Sequence, residues 1–133
     1  MIRGLLVILI MGCAAIARAQ DCYYYWVHQC IDVIDASQRQ LKQYVLISPA
    51  VNYLQADNLH CNDAVSQRQA SVAPQLLDVF NQAAADIPAC QAPINELPAR
   101  VYDKPHQATW HYNRSRKASP QKTVIPLEGL PIL

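Results

Sequence analysis

The stretch DCYYYWVHQC, residues 21–30, places three tyrosines and a tryptophan in a row between two cysteines. If it is helical, successive side chains are about 100° apart, so the four rings cover roughly 300° of the circumference. A small domain cannot bury every direction of such a helix, so some of these rings are expected at the surface. Tyr and Trp are enriched in interfaces, which makes these rings candidate partner-binding residues. They are Tyr23, Tyr24, Tyr25 and Trp26.

The residues from 21 to 47 carry an apolar pattern with three- and four-residue steps and contain neither Gly nor Pro. The residues of this pattern are Tyr23, Val27, Cys30, Ile34, Leu41 and Val45. Such spacing predicts an amphipathic helix with one buried face. Asp21 would cap its N-terminus, where an acidic side chain also suits the helix dipole.

Two further helical stretches are predicted before residue 92. One runs from Pro49 toward Gln69 and is weak at residues 57–58 and 62–63, and the other lies between Ser71 and Pro88. The apolar stripe of the latter is Leu76, Leu77, Phe80, Ala83, Ala84 and Ile87. The fold class predicted for residues 20–92 is therefore all-α, a small disulfide-stapled bundle of about three helices.

Residues 93–133 differ in composition, with six prolines and one glycine. No helical period is visible, and a residue that precedes proline is pushed toward extended geometry. We expect an extended or partly disordered proline-rich tail. Its charge is also distinct: residues 100–133 carry +4, whereas residues 20–99 carry −5.

The basic residues of this tail are interleaved with aromatic ones. The predicted partner-binding residues here are Trp110, Tyr112, Arg114, Arg116 and Lys117. Such a segment suits an anionic surface: acidic protein, anionic lipid head groups or acidic polysaccharide. Nucleic acid is not the expected partner of an exported protein.

Residues 1–19 have the pattern of an export signal. Arg3 precedes an apolar run, and Ala17-Arg18-Ala19 has the small-residue arrangement that signal peptidase cleaves. We expect cleavage after Ala19 and a periplasmic or secreted protein. One alternative is a lipoprotein anchored at Cys13, since the preceding residues resemble a lipobox. The other is an uncleaved N-terminal anchor.

Cysteine number agrees with export, because cleavage removes Cys13 and leaves four cysteines. An even number in an exported chain predicts two disulfides, and the spacings do not match a metal or redox motif. Cys22 and Cys30 would be about 12 Å apart along a helix, too far to bridge each other. The pairing favoured for antiparallel helices is Cys30–Cys61 with Cys22–Cys90, and the crossed pairing stays open.

Motifs of common enzyme classes are missing, and the chain has only three glycines. We therefore predict a non-catalytic binding protein without a metal or cofactor, such as an accessory subunit of an envelope or secretion assembly or an inhibitor-type partner. Its partner would be another exported or envelope protein. The alternative is a small exported hydrolase that uses His28 or His60 with a carboxylate.

Overall fold

The structure is a computed structural model, which describes residues 19–57 and 60–133. Within these residues the chain forms six strands and three α-helices. In chain order they are β1 (Ala19–Tyr25), β2 (Val27–Asp35), β3 (Gln40–Ile47), β4 (Asn52–Asp57), α1 (Cys61–Ala70), α2 (Ala73–Ala85), a 3₁₀ turn (Pro88–Cys90), β5 (Arg100–Tyr102), α3 (Pro105–Ser115) and β6 (Lys122–Pro126). The strands form two three-stranded sheets, so the all-α prediction is wrong and the fold is mixed α/β.

The framework of the fold is one long, bent hairpin formed by residues 19–57. β1 pairs with β4 in one sheet and β2 pairs with β3 in the other, all antiparallel. The bend lies at Trp26 and Ser48, where Trp26 N–H donates to Ser48 Oγ at 3.1 Å and Ser48 N–H donates to the Trp26 carbonyl at 2.9 Å. These two bonds replace the ladder where the hairpin passes from one sheet to the other.

The helix predicted over residues 21–47 is wrong, since this segment forms β1, β2 and β3. Eleven of its 27 residues are aromatic or β-branched, and such side chains favour the pleated surface of a sheet. Ile34 and Leu41, which were expected on the buried face of a helix, are exposed. The strand preference of these residues therefore decided the structure, and the three- and four-residue spacing of apolar side chains did not indicate a helix.

The alternation of side chains along a strand explains the row of aromatic residues. Tyr24 and Trp26 point into the main hydrophobic cluster with Leu46 and Phe80. Tyr25 points to the other side, into a smaller cluster. Successive residues of a strand face opposite sides, so four adjacent rings are accommodated where both faces are covered.

Of the other two predicted helices, one is confirmed and one is correct only in part. α2 matches the stretch between Ser71 and Pro88, has Pro74 in its first turn and buries Leu76, Phe80 and Ala84. The stretch from 49 to 69 instead holds β4 followed by α1. Of its weak middle, Asp57 ends β4, whereas Asn62 and Asp63 lie in the first turn of α1.

The prediction that residues 93–133 are an extended or disordered tail is wrong, because this region completes both sheets. β5 pairs with β1, and β6 runs parallel to β3. Its buried residues are Ile94, Leu97, Ala108, Tyr112 and Leu127. Pro105 opens α3 and Pro126 ends β6, positions at which a missing N–H is tolerated.

The two predicted disulfides are confirmed, whereas the favoured pairing is wrong and the crossed one forms. Cys22 bonds to Cys61 with a Cα–Cα distance of 5.4 Å, and Cys30 bonds to Cys90 at 5.3 Å. The favoured pairing assumed one helix for Cys22 and Cys30. They instead lie on two strands of different sheets, so each reaches a different neighbour: the start of α1 or the 3₁₀ turn.

Residues 1–18, which include most of the predicted signal and Cys13, lie outside the described residues. Two disulfides are consistent with an oxidising extracellular location. Among the helices of residues 19–57 and 60–133, none has the length and apolar character needed to cross a membrane.

Candidate binding surface

The predicted aromatic anchors at residues 23–26 are mostly core residues. Tyr24, Tyr25 and Trp26 are at most 2% exposed, which is at odds with a role as exposed anchors. Trp26 Nε1 donates to Gln69 Oε1 at 2.9 Å, so its polar atom is satisfied inside the fold. Tyr23 alone of the four is half-buried, and its ring lies 5.7 Å from that of Tyr53.

The predicted basic and aromatic residues of the tail lie on or just beyond α3. Trp110 is 56% exposed, and the Arg114 guanidinium lies 5.3 Å from the centroid of its ring. Arg116 and Lys117 follow at the exposed C-terminal end of the helix. Tyr112 is instead buried, and its hydroxyl donates to the Ser48 carbonyl at 2.7 Å.

A cluster of exposed apolar side chains lies elsewhere, at the end of the β2–β3 hairpin. We call residues 31–41 the distal hairpin; none of them is buried. Four of its apolar side chains are between 44% and 60% exposed: Ile31, Val33, Ile34 and Leu41. Val33 lies opposite Leu41 in the ladder, and Ile31 lies two residues from Val33, so these three share one face of the sheet.

The turn of the distal hairpin is held by its own side chains. Asp35 Oδ1 accepts from the Ser37 N–H at 3.0 Å and from the Ser37 hydroxyl at 2.7 Å, and these bonds lower the pKa of Asp35. Arg39 closes the turn with a φ of 54°, in the left-handed region that a side chain disfavours. A charged residue is therefore held at a position suited to glycine.

A groove with a volume of ≈ 850 Å³ opens beside this hairpin. We call it the distal groove; its walls come from Ile34, residues 38–43 and residues 119–122. Its cations are Arg39, Lys42 and Lys122, its apolar residues are Ile34, Leu41 and Pro120, and none of the described residues that line it carries a carboxylate. The sequence-based prediction included none of these six residues, because it assigned Ile34 and Leu41 to a helical core and the walls are far apart in the chain.

The two surfaces are adjacent. The Lys122 ammonium donates to the Arg114 carbonyl at 3.3 Å, which brings the C-terminal end of α3 beside the distal groove. The cations predicted at Arg114, Arg116 and Lys117 thus extend the positive charge of the groove. An acidic partner would meet both sets of cations.

The residues proposed for a hydrolase are less well assembled. His60 and Asp103 line one shallow groove of ≈ 290 Å³, but its one cysteine, Cys61, is held in a disulfide. His28 is half-buried, and burial lowers its pKa. No group of three or more His, Cys, Asp or Glu side chains suited to a metal occurs in the part of the chain that the structure describes.

Comparison of the chain with protein-family models, with curated proteins and with solved structures finds no match. The function therefore has to be argued from the chemistry of these surfaces.

Proposed function

We propose that this chain is an exported, non-catalytic binding protein whose partner is another exported or envelope protein. The observation that carries the proposal is the distal hairpin, where Ile31, Val33, Ile34 and Leu41 are exposed together. Clustered apolar side chains at a surface favour contact with a partner, since their burial would be favourable by about 25 cal/mol per Å². The export signal predicted for residues 1–19 supports this location, and the two disulfides are consistent with it.

β2 is also an edge strand of its sheet. An apolar edge strand is a template for pairing with another chain, and proteins usually protect such edges with charges, prolines or a covering element. Asp32 and Asp35 supply some charge here, while Ile31, Val33 and Leu41 form an apolar group on one face of the sheet. Accessory or inhibitor-type binding is the role that this arrangement supports best.

The experiment is capture of partners from the exported fraction with immobilised protein. Ile31→Thr/Val33→Thr keeps the strand preference of both positions and removes apolar surface. A matched control is Ile132→Thr, which changes an apolar residue that is 84% exposed near the C-terminus. We expect a partner that binds the unchanged protein and Ile132→Thr but not the double variant. Identical capture by all three would refute a binding role for the distal hairpin.

A further inference from the structure

The distal groove exists because β6 is shorter than its neighbour. β6 begins at Lys122, which lies opposite Gln43 of β3, and the Gln43 N–H donates to the Gln121 carbonyl at 2.7 Å. Before Lys122 the chain turns away through a bridge between Ser119 and Lys122. β3 continues outward to Gln40, so three of its residues extend past the end of β6.

The backbone of Leu41 faces this gap. Backbone groups of alternate residues point to the same edge of a strand, and those of Gln43 point toward β6. Those of Leu41, two residues earlier, therefore point into the groove. Its N–H and C=O provide a donor and an acceptor for an extended chain that continues the line of β6.

The charges that line the groove indicate which kind of extended segment it would bind. Arg39, Lys42 and Lys122 line it without a carboxylate. The acids of the distal hairpin are Asp35, which accepts bonds from the turn, and Asp32, which lies opposite Lys42 in the ladder. Neither lines the groove, and the basic end of α3 lies beside it, so the local field favours an acidic occupant.

We propose that the distal groove binds an extended acidic segment of a partner protein, which pairs with β3 at Leu41 and sets carboxylates against the cations of the groove. Lys122 lies on the face of the sheet that holds Leu41, and Lys42 lies on the opposite face, so the segment can carry carboxylates on either face. This inference rests on the proposed binding function and specifies the chemistry of the partner.

The test measures binding of a labelled hexapeptide of alternating glutamate and valine by fluorescence anisotropy. A matched peptide replaces every glutamate by glutamine and keeps the length and the alternation. We expect the glutamate peptide to bind on the order of tenfold more tightly, because its exposed ion pairs with the cations of the groove are lost in the glutamine peptide. Higher salt should reduce that difference.

Protein variants locate the charge effect. Arg39→Gln/Lys122→Gln should weaken binding of the glutamate peptide roughly three- to tenfold. Arg100→Gln removes a cation of β5, outside the groove, and should leave binding unchanged. Equal binding of both peptides, or equal binding by the groove variant and Arg100→Gln, would overturn the assignment of an acidic occupant.

Two modified peptides test the strand pairing. One peptide carries N-methyl groups on every glutamate amide and the other on every valine amide. Because the N–H groups of alternate residues point to the same edge of a strand, each peptide loses the hydrogen-bond donors along one of its two edges. Only one edge can face Leu41, and we expect one peptide to lose binding and the other to keep it. Equal behaviour of the two would overturn strand pairing.

Failure of the groove and failure of the binding function are distinguishable. Suppose that Arg39→Gln/Lys122→Gln captures a partner as well as the unchanged protein does, whereas Ile31→Thr/Val33→Thr fails to capture it. This result would support the proposed binding function and refute the proposal that the distal groove is the binding site. A dimer that the groove variant dissociates in sedimentation equilibrium would identify a second copy as the occupant and would also refute the proposal.

Discussion

Substitution of Tyr112 tests whether residues 93–133 contribute to the stability of the fold. Its side chain is 5% exposed, its ring lies 5.2 Å from that of Tyr25, and its hydroxyl donates to the Ser48 carbonyl at 2.7 Å. Tyr112→Phe keeps the ring and leaves that buried carbonyl without this donor, which should cost about 1 to 3 kcal/mol. For a domain of about 115 residues, roughly 4 °C per kcal/mol gives a decrease in Tm of about 4 to 12 °C. The measurement is thermal unfolding at neutral pH with the disulfides intact.

The control is Trp110→Phe, two residues away on the same helix. Trp110 is exposed, so this change should alter stability by less than about 0.5 kcal/mol. Tyr112→Ala should lose about 3 to 5 kcal/mol, because it also opens a cavity in the smaller cluster. Equal and small effects of Tyr112→Phe and Trp110→Phe would contradict the packing of α3 on the bend at Ser48.

Three further predictions concern other parts of the molecule. Burial and the Tyr25 hydroxyl raise the pKa of Tyr102 to about 12, so the free energy of unfolding should fall between about pH 10 and 12. Tyr102→Phe should remove a tyrosine ionisation near pH 12 from an absorbance titration. Cys30→Ser/Cys90→Ser opens a loop with a sequence separation of 60 and should lower stability by about 4 kcal/mol in denaturant unfolding; a loss under 1 kcal/mol would contradict the pairing. Arg39→Gly removes a side chain from a left-handed backbone position and should stabilise the protein by up to about 1 kcal/mol, while weakening binding of the glutamate peptide. A loss of stability would contradict the left-handed conformation of this residue.

The sequence predicted the parts of the fold whose signals are local. α2 carries Pro74 in its first turn, an apolar stripe and a terminating Pro88, so its pattern leaves little ambiguity. The four cysteines that remain after the predicted cleavage likewise predict two disulfides without knowledge of the fold. Both predictions need only residues close together in the chain or a count.

The bent hairpin was missed for reasons that its residues make clear. Its turn, residues 36–39, contains no Gly, Pro or Asn and is held by Asp35, so the usual turn signals are missing. Near the bend, both faces of β1 are covered, and Tyr24 and Tyr25 are therefore both buried. Alternation, the main strand signal, disappears where a strand is buried on both sides.

The candidate site was missed because it exists only in the folded chain. Leu41 and Pro120 are nearly eighty residues apart in sequence, and the parallel pairing of β3 with β6 brings them to one groove. The prediction of a basic surface near Arg114 came from composition alone. Its position beside Lys122 required the structure.

The Cys30–Cys90 disulfide lies at the boundary between the buried part of the β2–β3 hairpin and the exposed distal hairpin. Cys30 is the last buried residue of β2 before the turn, and beyond it neither disulfide anchors the hairpin. A two-stranded hairpin is marginally stable by itself, so this anchor and the β3–β6 pairing fix the register from which the distal hairpin projects. Ile31 and Val33 lie past that anchor and contribute little burial to the fold. Replacing them by threonine should change stability by no more than about 0.5 kcal/mol, so a loss of partner capture would report on the surface and not on unfolding.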